Sequence, residues 1–284
     1  MQLVEGNKIA GKILTELKSQ IVKLRKNGPL PRLVVVLFGD NPSSVSYVKQ
    51  KQRKAKQIGL DVEVRRFPEK TTERELVEAI KIYNSDDRVC GILVQLPLPA
   101  LLNQEKVLNT VRDYLDVDCL NENNKRKIVE GKKTIFLPPA PSAILTILRY
   151  YKVNLRDKEI LIVGSGNLVG KPLAALLLND GINFKLANRH TENLPVLLEK
   201  ADVIVSATGV SGLITAQNIK PGAVIIDAGT AVSESKTIRG DVDARELTGK
   251  AKLVAPVPGG VGPVTVAMLL QNAVKSARWR ASRD

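Results

Sequence analysis

The chain has 284 residues, of which 44% are hydrophobic and 25% charged, and it carries a formal net charge of +14. Because one domain usually has roughly 100 to 200 residues, this length predicts two packed lobes of a globular protein. Two cysteines are too few for a disulfide scaffold and fit a reducing compartment. The single histidine, His190, excludes most zinc and nucleophile–histidine sites, so no metal is expected.

Hydropathy and charge also limit the partners of the chain. Its first twenty residues mix charged and apolar positions, and no segment reaches the ~20 consecutive apolar residues that cross a bilayer. We therefore expect a soluble, cytoplasmic protein without a membrane partner. The positive charge favours acidic partners, but aromatic residues make up only 4% of the chain, which argues against a nucleic-acid surface. A non-catalytic nucleic-acid-binding protein is kept as an alternative.

Aliphatic runs alternate with amphipathic stretches along the first half. Strands are predicted at residues 32–39, 61–67 and 91–96. The helix after the first strand ends at Gly59, with Asp40 or Ser43 as its N-cap. Residues 118–143 are polar and then rich in proline, which indicates a connecting loop before a helix.

The second half repeats this alternation. Strands are predicted at residues 159–164, 183–188, 202–208 and 223–229, with one helix starting at Leu168 and a long final helix from Pro263. Such βα repeats predict an α/β fold of two lobes, each with a parallel sheet flanked by helices. The predicted domains are residues 1–120, completed by a C-terminal helix over 264–284, and residues 141–263.

Three glycines follow the strand at 159–164 and precede a helix. Gly164, Gly166 and Gly170 form a GxGxxxG pattern, one residue longer than the common dinucleotide fingerprint. Backbone amides there can hold a pyrophosphate, which makes the second lobe Rossmann-like, although a tight turn alone would also need glycine. The next strand ends without the carboxylate typical of NAD sites, and Arg189 favours the extra phosphate of NADP. The alternative for Arg189 is a solvated loop charge.

Four polar residues of the first lobe are candidates for chemistry. Tyr47 and Lys51 are four residues apart on a predicted helix, so they share a face. Gln95 lies in an otherwise apolar strand, where it either satisfies nearby backbone or points into a site with Lys51. Asp118 either caps the connecting segment or accepts hydrogen bonds from a ligand. By spacing alone, an ordinary exposed Tyr–Lys pair on a basic helix is the favoured interpretation.

Three groups of motifs together carry a family resemblance. They are GDNPSSVSYVKQK with GILVQLPLP, NLVGKPLAALLL with IKPGAVIIDAG, and APVPGGVGPVTVAML. From about Val35 to Met268 the chain resembles the bifunctional methylenetetrahydrofolate dehydrogenase/cyclohydrolase family. The last motif is the most specific, since proline and glycine fix an unusual backbone path ahead of a helix. The resemblance implies oxidation of 5,10-methylenetetrahydrofolate with NADP, with NAD as the alternative cofactor, followed by hydrolysis to 10-formyltetrahydrofolate.

The resemblance also assigns site residues. Lys51 would be the acid–base group, Gln95 its partner, Tyr47 the group that positions the folate ring, and Asp118 the anchor of the pterin. Further folate-binding positions are Val94, Leu96, Pro97, Pro258, Gly259, Gly260 and Pro263. The cofactor-binding positions are Gly164, Ser165, Gly166, Asn167, Val169, Gly170, Asn188, Arg189, Thr208, Gly209 and Thr230. A homodimer formed through the cofactor lobe is implied as well.

The chain departs from the family pattern at several positions. Cys119 replaces a glycine, Asn121 replaces a histidine, and residues 138–141 read PPAP instead of PCTP. In the glycine turn, Ser165 replaces an arginine, whereas Arg189 stands where the family has serine. These changes leave the choice of cofactor and the balance of the two activities open. Another two-lobed dehydrogenase, acting on shikimate-like or amino-acid substrates, is the main alternative among enzymes.

Overall fold

The structure, a computed structural model, describes residues 1–26, 31–229, 231–232 and 238–282. Two compact units divide the chain. The Lys51 unit comprises Gly11–Pro138 and Val266–Asp284, and the glycine-turn unit comprises Met1–Ala10 and Pro139–Thr265. Within the described residues, no helix is long and apolar enough to cross a membrane.

The described residues form helices and strands in alternation. The helices are α1 Gly6–Arg25, α2 Pro42–Ile58, α3 Glu73–Ser85, α4 Gln104–Thr110, α5 Glu122–Val129, α6 Pro139–Tyr150, α7 Gly170–Asn179, α8 Leu194–Lys200 and α9 Val261–Ala281. The strands are β1 Gln2–Leu3, β2 Arg32–Phe38, β3 Asp61–Phe67, β4 Val89–Val94, β5 Ile160–Val163, β6 Lys185–Ala187, β7 Val203–Ser206, β8 Val224–Asp227, β9 Ala231–Val232, β10 Ile238–Arg239 and β11 Leu253–Ala255. A short 3₁₀ helix covers Ala216–Asn218.

The Lys51 unit contains a parallel three-stranded sheet in the order β3-β2-β4. Its central strand β2 is apolar and almost wholly buried, as expected of a parallel strand covered on both faces. Helix α2 follows β2 and begins with an N-cap at Asn41, whose Oδ1 accepts hydrogen bonds from the amides of Ser43 and Ser44. The prediction of Asp40 or Ser43 as the cap was wrong by one or two residues. The helix ends at Gly59, in a left-handed conformation with φ of 78°.

The glycine-turn unit contains a six-stranded parallel sheet in the order β1-β11-β8-β7-β5-β6. The chain therefore has the predicted α/β class, with parallel sheets flanked by helices. Strands β1 and β11 were not predicted, because two or three residues are too few to give a periodic pattern. Each parallel strand points its carboxyl end to the same edge of its sheet, where ligands of such folds bind.

Several predicted boundaries differ from the structure. Residues 118–143 are not one loop: α5 lies within them, because Asn121 caps a helix that charged residues continue, and α6 already begins at Pro139. Helix α7 begins at Gly170 rather than Leu168, and α9 begins at Val261 rather than Pro263. Propensity and patterning leave helix ends uncertain by a few residues.

Candidate active site

Lys51 and Gln95 form a direct contact in the Lys51 unit. Lys51 lies on α2, which follows β2, and Gln95 comes directly after β4, the neighbour of β2 in the sheet. The Lys51 Nζ donates a hydrogen bond of 2.9 Å to the Gln95 Oε1. The Gln95 Nε2 donates a second bond of 2.7 Å to the carbonyl of Leu96. The amide therefore satisfies nearby backbone and orients the amine, which combines the two alternatives that the sequence left open.

Burial and one neighbouring charge act on the pKa of the amine in opposite directions. Desolvation lowers the pKa of Lys51 below its usual range, and the negative charge of Asp118 opposes this by raising it. Burial likewise raises the pKa of Asp118, and the positive charge of Lys51 opposes that shift. The larger effect on Lys51 is desolvation. A lysine in this environment gives up its proton more readily than an exposed one, as acid–base catalysis near neutral pH requires.

Tyr47 lies one helical turn before Lys51 on α2, and both side chains are half-buried. Residues four apart on a helix are neighbours, so the phenol and the amine lie on one face. Asp118 is half-buried too. The structure thus brings Lys51, Gln95 and Asp118 into one interacting group and places Tyr47 beside it on the same helix.

A second carboxylate, Asp116, organises the segment that carries Asp118. Asp116 is only 4% exposed. Its carboxylate accepts hydrogen bonds from the backbone amides of Leu120 at 3.1 Å and Asn121 at 2.8 Å. The Asn124 side chain donates a third bond at 2.9 Å. Sequence reasoning missed Asp116, because the motif DVD does not reveal which of its two carboxylates turns inward. The donors at 120 and 121 are backbone amides, which the sequence does not distinguish from any others.

The turn after Asp118 has a backbone conformation that suits glycine better than the cysteine present. Cys119, at a position where the family has glycine, has a φ of 58°, a left-handed conformation that glycine adopts most easily. Its side chain is buried. On the other side, the Asn272 amide donates bonds to the carbonyl oxygens of Val117 at 2.9 Å and Leu137 at 2.8 Å. The backbone directly before Asp118 is consequently held by the Asn272 side chain.

The buried Asp116 predicts a dependence of stability on pH. Burial raises the pKa of Asp116 to about 6 from an ordinary 3.8. The folded state therefore binds the proton more tightly, and the stability contributed by this protonation is full below pH 3.8 and is lost as the pH rises through 6. In the variant Asp116→Asn this contribution is absent. Urea unfolding at several pH values gives the free energy of unfolding of both proteins. The free energy of the wild type minus that of the variant should fall by on the order of 2 kcal/mol between pH 4 and 7.

Asp40→Asn is the matched control, since the Asp40 side chain is 81% exposed in the same unit. It separates the effect of the buried carboxylate from that of removing a charge at the surface. A constant difference for Asp116→Asn over this pH range would contradict the burial of a titrating carboxyl at 116.

The three glycines of the glycine-turn unit have different steric roles. Gly164 has a φ of 108°, and a Cβ there would lie 2.4 Å from the carbonyl oxygen of Ala207. A Cβ on Gly170 would lie 1.8 Å from the carbonyl oxygen of Gly164. These two glycines are thus required by the turn itself. At Gly166, by contrast, a Cβ would meet no described atom within 4 Å, so that side of the turn is open.

The open side of the turn suits a phosphate. Helix α7 starts here with Val169 as its N-cap, and no side chain in the described part of the chain caps it. Amides in the first turn of an uncapped helix attract an anion, and the helix dipole adds to this attraction. The turn at Gly164, Gly166 and Gly170 therefore fits a dinucleotide pyrophosphate, with exposed Asn167 and half-buried Ser165 along it.

Arg189 lies in an ordered loop after strand β6. The Asn188 Oδ1 accepts a bond from the His190 amide at 2.9 Å, and the Asn188 amide donates to the Thr191 Oγ1 at 2.8 Å. The Arg189 Nε donates to the His190 Nε2 at 3.1 Å, while the residue remains exposed. The guanidinium is thus oriented by the loop and still accessible to a ligand.

The other predicted site residues divide between the two units. In the Lys51 unit, Val94 is buried, Leu96 is half-buried and Pro97 is exposed. In the glycine-turn unit, the Gly259 carbonyl accepts a bond from the Gly6 amide, Gly260 is buried, and exposed Pro258 and half-buried Pro263 flank them. Thr208 is half-buried and Gly209 exposed after β7. Thr230 lies outside the described residues, as do positions 283–284 of the predicted C-terminal helix.

Family comparisons cover nearly the whole chain. Residues 4–118 match the catalytic domain of "Tetrahydrofolate dehydrogenase/cyclohydrolase", and residues 138–281 match the NAD(P)-binding domain of the same description. The chain belongs to the tetrahydrofolate dehydrogenase/cyclohydrolase family. This confirms the resemblance inferred from the three motif groups and rules out the shikimate-like alternative.

Individual members of the tetrahydrofolate dehydrogenase/cyclohydrolase family match along their full length. "Bifunctional protein FolD" from Lactococcus lactis subsp. cremoris is 40% identical over 284 residues, covering 100% of this chain and 99% of the relative. The crystal structure of the bifunctional enzyme FolD from Campylobacter jejuni has a TM-score of 0.95 at 38% identity, covering 99% of both chains. The Trypanosoma brucei dehydrogenase–cyclohydrolase, crystallised with NADP and an inhibitor, has a TM-score of 0.94 at 30% identity and covers 99% of this chain and 98% of its own.

Proposed function

We propose that the chain oxidises 5,10-methylenetetrahydrofolate to 5,10-methenyltetrahydrofolate with NADP, and hydrolyses that product to 10-formyltetrahydrofolate. The observation that carries this proposal is the hydrogen bond of Lys51 to Gln95, in a site where burial lowers the pKa of the lysine. An exposed lysine would stay charged and could not accept a proton from water at neutral pH. The family membership of both units supports the same two reactions.

Lys51 is the acid–base group of the hydrolytic step in this proposal. Its neutral amine accepts one proton of the water that adds to the methenyl carbon, and the resulting ammonium gives that proton to the ring nitrogen as the bond between this nitrogen and the carbon breaks. The remaining hydroxyl proton of the adduct is released to solvent as the formyl C=O forms. Gln95 holds the amine through its Oε1 and leaves the lone pair of a neutral Nζ available. Tyr47, on the same helix face, positions the folate ring, and Asp118 anchors the pterin by accepting its N–H groups.

The oxidation step asks mainly for alignment. When bound, the nicotinamide accepts the hydride from the methylene carbon. The residues of this chain hold the folate and the nicotinamide in place and keep water out. Holding them lowers the barrier to hydride transfer, because their translational and rotational freedom is already lost on binding. The dinucleotide-binding residues are Gly164, Ser165, Gly166, Asn167, Val169, Gly170, Asn188, Arg189, Thr208 and Gly209. Thr230 is proposed with them from the sequence alone.

NADP is favoured over NAD by the charge at 189. The exposed guanidinium, oriented by His190, can pair with a 2′-phosphate in two parallel hydrogen bonds. No carboxylate follows β6 within residues 188–191 to bind a ribose 2′-hydroxyl, as an NAD-selective site would require. Arg189 thus replaces, in this proposal, the arginine that the family carries at the position of Ser165.

The remaining proposals concern domains and partners. We assign folate binding and acid–base chemistry to residues 1–120 with 264–284, and dinucleotide binding to residues 141–263. Val94, Leu96, Pro97, Pro258, Gly259, Gly260 and Pro263 are the further folate contacts. A cytoplasmic homodimer without nucleic-acid or membrane partners is proposed. The buried, unpaired thiols of Cys90 and Cys119 and the low aromatic content support the compartment and the lack of nucleic-acid binding.

One parallel assay tests the proposed function. The purified chain is mixed with methylenetetrahydrofolate and either NADP or NAD, and the ultraviolet spectrum is followed. Reduced nicotinamide should form faster with NADP, and added methenyltetrahydrofolate should lose its absorbance without any dinucleotide. No turnover in either assay, with salt-sensitive RNA binding instead, would favour the nucleic-acid-binding alternative.

A further inference from the structure

Two carboxylates are fully buried at the carboxyl ends of strands in the glycine-turn unit. Asp227 is the last residue of β8, and Asp241 follows β10 by two residues; both are 0% exposed. Neither belongs to the proposed site. Because burying a carboxylate is unfavourable without hydrogen-bond donors around it, the donors indicate what each carboxylate organises.

One oxygen of Asp241 collects three donors from a single segment. Its Oδ2 accepts bonds from the Ser206 Oγ at 2.5 Å, from the Thr208 amide at 2.8 Å and from the Thr208 Oγ1 at 2.9 Å. The Thr208 Oγ1 in turn accepts a bond from the Val210 amide at 3.1 Å. The end of β7 and the residues after it are therefore ordered around one carboxylate oxygen.

The other oxygen of Asp241 makes this arrangement costly. Oδ1 is buried, and no donor from the described residues reaches it. A Cβ on Gly229 would lie 2.0 Å from this oxygen, so only glycine leaves room for it. A buried acceptor without a partner lowers stability. Residues that break such a rule are often found at functional sites.

Asp227 adds a second charge next to Asp241. Its carboxylate accepts bonds from the amides of Gly229 and Val242 at 2.9 Å each, and also from the Asp241 amide. A Cβ on Gly240 would lie 2.0 Å from the Asp227 Oδ2. Burial, together with the negative charge of Asp241, raises the pKa of Asp227 to about 6, although the hydrogen bonds from backbone amides oppose this shift. Two acidic groups thus share one buried region, and only Asp241 bonds directly to the segment after β7.

That segment contacts the glycine turn. A Cβ on Gly164 would lie 2.4 Å from the Ala207 carbonyl oxygen and 3.4 Å from the Thr208 Cγ2. The two segments therefore pack closely here, and only the absence of a side chain at Gly164 leaves room for this packing. We propose that Asp241 is a positioning residue for the dinucleotide site, holding Thr208 and its neighbours in the conformation that packs against the glycine turn. This inference rests on the proposed function, in which Thr208 and Gly209 bind the dinucleotide.

The two proposed reactions provide an internal control for the test. Only the oxidation needs a dinucleotide, so a defect confined to its site should leave the hydrolysis of methenyltetrahydrofolate intact. In Asp241→Asn, the amide oxygen can take the place of Oδ2, but without the negative charge it accepts the three hydrogen bonds more weakly. We expect the KM for NADP to rise about tenfold or more, with kcat changed less and the hydrolysis rate within about twofold of wild type.

Two further variants complete the experiment. Asp243→Asn removes the same charge two residues away at an exposed position and should change neither activity. Ser206→Ala removes one donor and keeps the carboxylate, so it should raise the KM for NADP in the same direction by about two- to fivefold. Ser206→Ala decides the question if Asp241→Asn does not fold.

Three outcomes would overturn the inference. The first is a KM for NADP within twofold of wild type in every variant of Asp241 or Ser206 that folds. The second is an equal loss of both activities, which would assign Asp241 to the general stability of the unit. The third is that the folded variants of Asp241 and Ser206 bind NADPH as tightly as the wild type does. This binding is measured directly by the quenching or enhancement of NADPH fluorescence. This binding measurement needs no turnover, so it separates failure of this inference from failure of the proposed function.

Discussion

Replacing Lys51 by methionine should abolish the hydrolytic activity while folate still binds. Methionine keeps the length of the side chain and its apolar packing but cannot exchange a proton. Positioned acid–base groups contribute about 10² to 10⁴ in rate, so we expect hydrolysis of methenyltetrahydrofolate to fall at least about 100-fold. The dehydrogenase activity should fall less, because hydride transfer depends chiefly on alignment. Stopped-flow absorbance gives the two rates, and equilibrium titration of the folate gives the binding constant.

Lys49→Met is the matched control for this experiment. Lys49 is exposed on the same helix, two residues away and therefore on a different face. Its replacement removes an equal charge and should leave both rates unchanged. Unchanged hydrolysis in Lys51→Met would refute the acid–base assignment. A loss of folate binding in Lys51→Met alone would make Lys51 a binding residue and would leave the proton acceptor elsewhere.

Replacing Arg189 by alanine should reverse or abolish the preference for NADP. Charge-assisted hydrogen bonds to a phosphate contribute about 1.5 to 3 kcal/mol, so the ratio of kcat/KM for NADP to that for NAD should fall about 10- to 100-fold. The change should appear mainly in the KM for NADP. NAD lacks the 2′-phosphate, so its KM should change little. Steady-state kinetics with both dinucleotides on each variant measure this ratio.

Arg156→Ala removes an exposed arginine elsewhere in the same unit and should leave the ratio as it is. The double variant Ser165→Arg with Arg189→Ser reproduces the family arrangement and should recover part of the NADP preference. Equal effects of Arg189→Ala on NADP and NAD would contradict the assignment and would return Arg189 to a solvated loop charge. Hydrolysis of methenyltetrahydrofolate should be unaffected throughout, since it uses no dinucleotide.

The sequence was a good guide to elements with a strong hydropathy signal. Strands β2, β5 and β8 each contain an uninterrupted run of at least three aliphatic residues, as is typical of a strand covered on both faces, and all three were predicted. The sequence did not predict an element whose start depends on a local contact of a polar side chain. Helix α5 was not predicted, because its eight residues include two asparagines and three basic residues and its start depends on the Asn121 cap.

Part of the candidate site could also be predicted from the sequence. Tyr47 and Lys51 could be placed on one face from their spacing, and the family motifs identified Gln95 and Asp118 as their companions. Neither source identified Asp116 or Asp241. Their hydrogen-bond donors lie 4 to 35 residues away along the chain, and no local pattern distinguishes an inward carboxylate from an outward one.

By itself, the sequence determined the α/β class, the parallel strands and the family, because hydropathy period and glycine–proline motifs are local properties of the chain. Only the tertiary structure decided the protonation behaviour of Lys51 and the hydrogen bonds around it. The pKa depends on desolvation and on the charge of Asp118, 67 residues from Lys51, and the hydrogen bond depends on Gln95, 44 residues away. Both residues meet Lys51 only after the unit has folded.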